Sequence, residues 1–179
     1  MRIRSARSFL VLSTTATAGA ALLLTAAPQG LAAESAVKVP VCKAKVLKLK
    51  AKVSKDPRVV HISVKNTSTR TCTVDRIPTV TFGDLDGAAL PVPQGDSAPY
   101  KVGAGKTVYA SVRTIADLKD PEARRVKTIT VSANPAYNGR TFTAKEMGAA
   151  KVVKVWIPVT TWWKPSQAAA DKALQKAVG

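Results

Sequence analysis

The chain has 179 residues, with 28 Lys and Arg against 11 Asp and Glu, a formal charge of +17, two cysteines and a single histidine. One imidazole and two thiols are too few for a metal centre of the usual kind. The carboxylates are scattered through turns rather than paired for acid–base work, so neither a catalytic role nor a cofactor is expected.

The N-terminus carries Arg2, Arg4 and Arg7, then an apolar stretch over 9–27 diluted by Ser13, Thr14, Thr15 and Thr17. Pro28 and Gly30 break it, and "GLAAES" offers small residues for cleavage after Ala32 or Ala33. A basic head, a short apolar core and a small-residue exit predict a signal peptide over 1–33 and a secreted or envelope-associated product. The core barely reaches spanning length, so no membrane span is expected after cleavage. The arginines are not adjacent and no cysteine follows the core, which disfavours twin-arginine export and lipidation. Removing Arg2, Arg4 and Arg7 takes the formal charge from +17 to +14. Such a field either favours adhesion to polyanions or serves only to keep a small domain soluble.

From residue 39 onward, short strands alternate with turns. "CKAKVLKLKAKV" places Cys42, Ala44 and Val46 on one face and, after a slip at Val46-Leu47, continues the apolar row with Leu47, Leu49, Ala51 and Val53. This predicts a strand with a bulge and an outer row of Lys48, Lys50 and Lys52. A lysine row also suits an edge strand, where it discourages pairing with another molecule. "VVHISVKN" turns Val60, Ile62 and Val64 inward, with His61, Ser63 and Lys65 facing solvent. Cys72 and Val74 share a face after the polar turn 66–70. "TVTFGDLDGAALPV" supplies Val80, Phe82 and a turn at Asp86-Gly87, and "YKVGAGKTVYASVR" places Val108, Ala110 and Val112 beyond a Gly-rich turn.

The segment 117–125 is expected to be a loop or single helical turn. A hairpin is expected around Asn138-Gly139. "KVVKVWIPV" closes the series with Val153, Val155 and Ile157 inward. Seven or more short strands at this spacing predict an all-β antiparallel sandwich over 34–160. In the remaining tail, 161–179, Ser166 is a plausible N-cap for a short Ala-rich helix ending at Gly179, either docked or frayed.

The candidate chemistry is sparse. Cys42 and Cys72 lie thirty positions apart on apolar strand faces, and two cysteines in an exported chain pair far more often than they react. Closing that loop contributes about 3–4 kcal/mol on the loop-entropy model. "VGAGKT" lacks the leading glycine of a phosphate-binding loop, since Tyr100 stands there, and no helix signal follows. "DLDG" lacks the later ligands of a calcium loop, where Ala88 and Gly95 stand. Trp162 and Trp163 in "TTWWKPS" are candidate aromatic contacts, or else packing groups at the sandwich edge and terminal helix.

Several blocks carry a resemblance: Cys42 opening the first strand, "NTSTRTCTV", Pro78, "TVTFGDLDGAAL" and "VGAGKTVYASV". Over roughly 40–160 they resemble domain-of-unknown-function family 4232 of secreted actinobacterial domains. "NTS…TCT" is the most specific part. Members commonly carry a glycine and an aromatic before the proline, where this chain has Arg76 and Ile77, and many carry further cysteines that this chain lacks. The resemblance implies an immunoglobulin-like sandwich, export or surface display, and no catalytic residues to carry over.

The functional expectation is a non-catalytic secreted binding module. Its candidate polyanion contacts are Lys43, Lys45, Lys48, Lys50, Lys52, Arg124, Arg125 and Lys127, with anionic envelope polymers as partner and no specific nucleic acid. The alternative is a protein-binding module, such as a secreted peptidase inhibitor, using a projecting loop at 91–101, "PVPQGDSAPYK".

Overall fold

The computed structural model describes residues 38–179, so the expected signal segment and its cleavage point lie outside the described residues. The strands are β1 (Leu47–Val53), β2 (Val59–Asn66), β3 (Cys72–Asp75), β4 (Thr79–Phe82), β5 (Leu90–Val92) and β6 (Pro99–Val102). They continue with β7 (Thr107–Arg113), β8 (Arg124–Val126), β9 (Thr128–Ser132), β10 (Arg140–Thr143), β11 (Val153–Val155) and β12 (Val159–Thr161), and helix α1 (Gln167–Val178) follows. Five strands form one sheet in the order β1-β2-β7-β12-β5, antiparallel except for the β12–β5 pair. A three-stranded sheet, β10-β9-β4, and two pairs, β11–β8 and β3–β6, complete an all-β sandwich-like fold.

The central strands β2 and β7 explain the layering. Their register sets Val60 opposite Val112, Ile62 opposite Ala110 and Val64 opposite Val108, and all six are buried. Val80, Phe82, Ile129, Val131 and Phe142 join the same core from the three-stranded sheet, with Met147 and Trp163. Period-two alternation therefore leaves the opposite, outer face of β1, β2 and β7 polar.

The first strand starts later than its alternation predicts. Residues 44–46 form a 3₁₀ turn rather than a bulged strand. The Val46 carbonyl accepts from both the amide (2.8 Å) and the hydroxyl (2.9 Å) of Thr67. Asp86-Gly87 does not close a hairpin: β4 belongs to the three-stranded sheet and β5 to the five-stranded one, so the chain crosses between layers there. β9 and β10 do pair, yet their connection spans 133–139, and Gly139 (φ 72°) is its final residue. A Cβ there would lie 2.5 Å from the Val131 carbonyl oxygen. Ile157 points outward, 61 % exposed at φ 46°, because the chain leaves β11 to join the other sheet as β12.

α1 is docked, not frayed. The Ser166 hydroxyl accepts from the Ala169 amide as N-cap, and Ala170 and Leu174 are buried against the sheet. Cys42 and Cys72 form a buried disulfide.

Next to it, Asn66 is fully buried at the end of β2. Its Nδ2 donates to the carbonyls of Arg70 (2.8 Å), Val102 (3.0 Å) and Gly103 (3.2 Å). Its Oδ1 accepts from the Ser68 amide and hydroxyl. One side chain thus organises the 67–71 turn and ties it to the Gly-rich turn between β6 and β7. Asn66→Asp keeps the shape but sets a charged acceptor against three carbonyls. It is expected to lower stability by about 3 kcal/mol, read from urea unfolding. An unchanged midpoint would contradict this role.

Candidate functional site

The outer face of β1, β2 and β7 carries two cross-strand rows. Lys48 stands opposite Lys65, which stands opposite Thr107; Lys50 stands opposite Ser63, which stands opposite Tyr109. Together with Thr67 these residues line a groove of about 520 Å³ that contains no acidic side chain. Successive outward positions on a strand are about 6.6 Å apart and neighbouring strands about 4.8 Å. Three ammonium groups therefore occupy one small area, with Lys48 and Lys65 directly opposed. Lys52 extends the row and lies opposite His61.

The other predicted cations are distributed differently. Lys43 and Lys45 are exposed at the 3₁₀ turn, whose Val46 carbonyl is bonded to Thr67, so they stand near one end of the groove. Arg124, Arg125 and Lys127 are not brought to the lysines. Arg124 and Arg125 sit on β8, which pairs with β11 rather than with the five-stranded sheet, and Arg124 lines a separate cleft with Leu85, Trp156 and Ile157. At the far turn of the β1–β2 hairpin, Arg58 and Asp56 cancel one another at 2.7 Å. The hydrogen bonds from the Arg58 side chain hold the Asp56 carboxyl below its ordinary range. Its contribution to stability is accordingly present above the ordinary carboxylate range and disappears as pH falls through the lowered value.

Trp163 is 1 % exposed and belongs to the core, so it is not a surface contact. Trp162 is half-buried, with the Arg76 guanidinium 4.2 Å above its ring, and the ring also packs against Gly95. The 91–101 segment is thereby held down instead of projecting: Arg76 Nε donates to the Asp96 carbonyl at 2.6 Å, and the Ser97 hydroxyl donates to Asp75.

His61 stands on the outer face and its side chain stays 30 % exposed, with Asp171 of α1 against it. Asp171 Oδ1 accepts from Ser111 Oγ (2.5 Å), Gln167 Nε2 (3.1 Å) and lies 3.0 Å from His61 Nε2. The carboxylate stands between hydroxyl and imidazole, so the imidazole is not placed as it would be to take the serine proton. Ser111 is also fully buried. The group fastens α1 to the sheet through polar contacts. Among the described residues no cluster of three or more His, Cys, Asp or Glu could hold a metal, and no helix is long and apolar enough to cross a membrane.

The family model for a domain of unknown function, DUF4232, matches residues 42–163. The chain belongs to the DUF4232 family. The match opens at the first disulfide cysteine and ends at the buried Trp163, so it contains β1 to β12 and the entire groove, while α1 lies beyond it. No curated protein and no solved structure matches the chain.

Ser63, Lys65, Thr67, Thr107 and Tyr109 are the groove residues that sequence reasoning did not select. Counting outward from the Asp56-Pro57 turn would have set Lys65 against Lys48, because the hairpin register is local. Nothing local points to Thr107 or Tyr109. The polar fastening of α1 gives a direct expectation: Asp171→Ala should speed amide exchange over residues 170–178 by about tenfold, while β2 and β7 amides keep their protection. Equal protection in wild type and variant would show that Ala170 and Leu174 alone hold the helix.

Proposed function

We propose that this DUF4232 domain is an exported, non-catalytic module that adheres to anionic polymers of the cell envelope through the outer face of β1 and β2. The observation that carries the reading is the direct opposition of Lys48 and Lys65, with Lys50 one outward position away and no acid lining the groove. Like charges directly opposite on one sheet face cost stability, up to about 1 kcal/mol per pair. A solubilising surface would intersperse signs instead. Here acid–base pairing is kept at the hairpin turn, Asp56 with Arg58, and the groove is left uniformly cationic. The edge position of β1 accounts for its lysines alone, and it does not account for Lys65 on the interior strand β2.

The mechanism is displacement of counterions from the polymer by Lys48, Lys50 and Lys65, so affinity falls with salt. The peptidase-inhibitor alternative through 91–101 has no comparable observation behind it, since Arg76, Asp75 and Trp162 hold that segment against the body.

Binding to isolated envelope material across a salt series tests the reading. The plot of log affinity against log salt should fall with a slope of about −2 to −3. Lys65→Gln should make that slope shallower by about 1. Salt-independent retention, or no retention at low salt, would contradict it.

A further inference from the structure

The groove is chemically lopsided, and the asymmetry points to a narrower class of ligand. Its β1 side carries only Lys48 and Lys50. Its β7 side carries Thr107 and Tyr109. Between them, β2 supplies one residue of each kind, Lys65 and Ser63. From β1 to β7 the floor is two strand spacings, about 10 Å. A chain of bare phosphates would use the lysine side and leave the hydroxyls of Thr107 and Tyr109 without a partner; the next cation, Lys164, is bridged opposite Tyr109 and does not line the groove. The Thr67 hydroxyl is turned onto the Val46 carbonyl at 2.9 Å, whereas those of Ser63, Thr107 and Tyr109 make no hydrogen bond to another described residue. Tyr109 is half-buried, which offers an apolar ring wall with a polar tip. The adjacent wall is firm: the Tyr109 backbone is bridged in both directions to Lys164, at 2.8 and 2.7 Å.

We infer that the groove takes a hydroxyl-bearing anionic polymer, lying along the strands with its charges toward β1 and its hydroxylated body against Ser63, Thr107 and Tyr109. The inference rests on the polyanion reading above and adds the ligand class to it. Two polymer types share this chemistry: an acidic polysaccharide, with carboxylates on a sugar backbone, and a polyol phosphodiester, with hydroxylated links between phosphates. The lysine side supplies affinity and its salt dependence. The hydroxyl and ring side supplies discrimination, because a site equipped to hydrogen-bond a hydroxylated ligand loses affinity for one that lacks those groups.

The test compares polygalacturonate, poly(glycerol phosphate) and inorganic polyphosphate at matched salt and matched charge concentration. The wild-type domain should hold at least one of the hydroxylated polymers about tenfold tighter than polyphosphate, and the preferred one identifies the type. Thr107→Val combined with Tyr109→Phe, which keeps the ring and the shape, should reduce that preference about fivefold while leaving polyphosphate binding unchanged. Lys65→Gln should weaken all three together. If all three bind and rank by charge density alone, the ligand class is overturned and electrostatic adhesion stands. If none binds, both fail.

Discussion

The buried amide of Asn66 holds together the end of β2 and the two turns beside it. It closes β2, shapes the 67–71 turn through its acceptor oxygen and a donor bond to the Arg70 carbonyl, and ties the turn that leads into β7 through the Val102 and Gly103 carbonyls. The disulfide between Cys42 and Cys72 lies on the other side of that turn and secures the chain entering β1 against β3. With this end of β2 fixed and the other closed by the hairpin turn, where the Ser54 amide donates to the Val59 carbonyl, β2 has one register with β1 and one with β7. A slip of one residue would send Val60, Ile62 and Val64 to the outer face. The same registers place Lys65 between Lys48 and Thr107, so the groove follows from what holds the core.

The energetics of the two faces differ in kind. Inside, apolar side chains from both sheets stabilise the fold by burial, about 1.5–3 kcal/mol for each large one. Outside, the groove concentrates positive charge without compensation, at some cost to stability, and only a stable inner face lets it persist. α1 uses a third approach. Its stripe is mostly alanine and little area is buried by it, so Asp171 fastens it to Ser111 and His61 of the sheet, and Gln167 adds a second bond to Ser111. The family match ends at residue 163, so the strands and the groove lie within it and α1 lies outside it.

Much of the fold was legible locally. Strict alternation in "VVHISVKN" identified β2 and its inward side, the lysine row suited an edge position for β1, and Ser166 announced α1. The cysteine pairing followed from there being only two. What failed to be legible was long-range. The reassignment of β5 to the other sheet, the outward turn of Ile157 and the contact of His61 with Asp171 of α1 all depend on contacts between segments far apart in the chain. The same limit applies to the site. Lys48 and Lys50 were visible in their strand, but Tyr109 joins them only through the pairing of β2 with β7. Conversely, Arg124, Arg125 and Lys127 looked equivalent to the lysines in composition, yet the β8–β11 pairing sets Arg124 and Arg125 elsewhere, and Lys127 lies between β8 and β9, outside the five-stranded sheet.

That separation provides the most direct measurement of the central claim. Two triple variants remove the same three charges: Lys48→Gln, Lys50→Gln, Lys65→Gln in the groove, and Arg124→Gln, Arg125→Gln, Lys127→Gln away from it. Salt-dependent binding to anionic envelope polymer is measured for both beside wild type. Loss of most binding in the groove variant, with the other close to wild type, is the result a local binding face predicts. Equal losses in the two variants would mean that net charge alone draws the protein to polyanions, and the groove would have no special part in it.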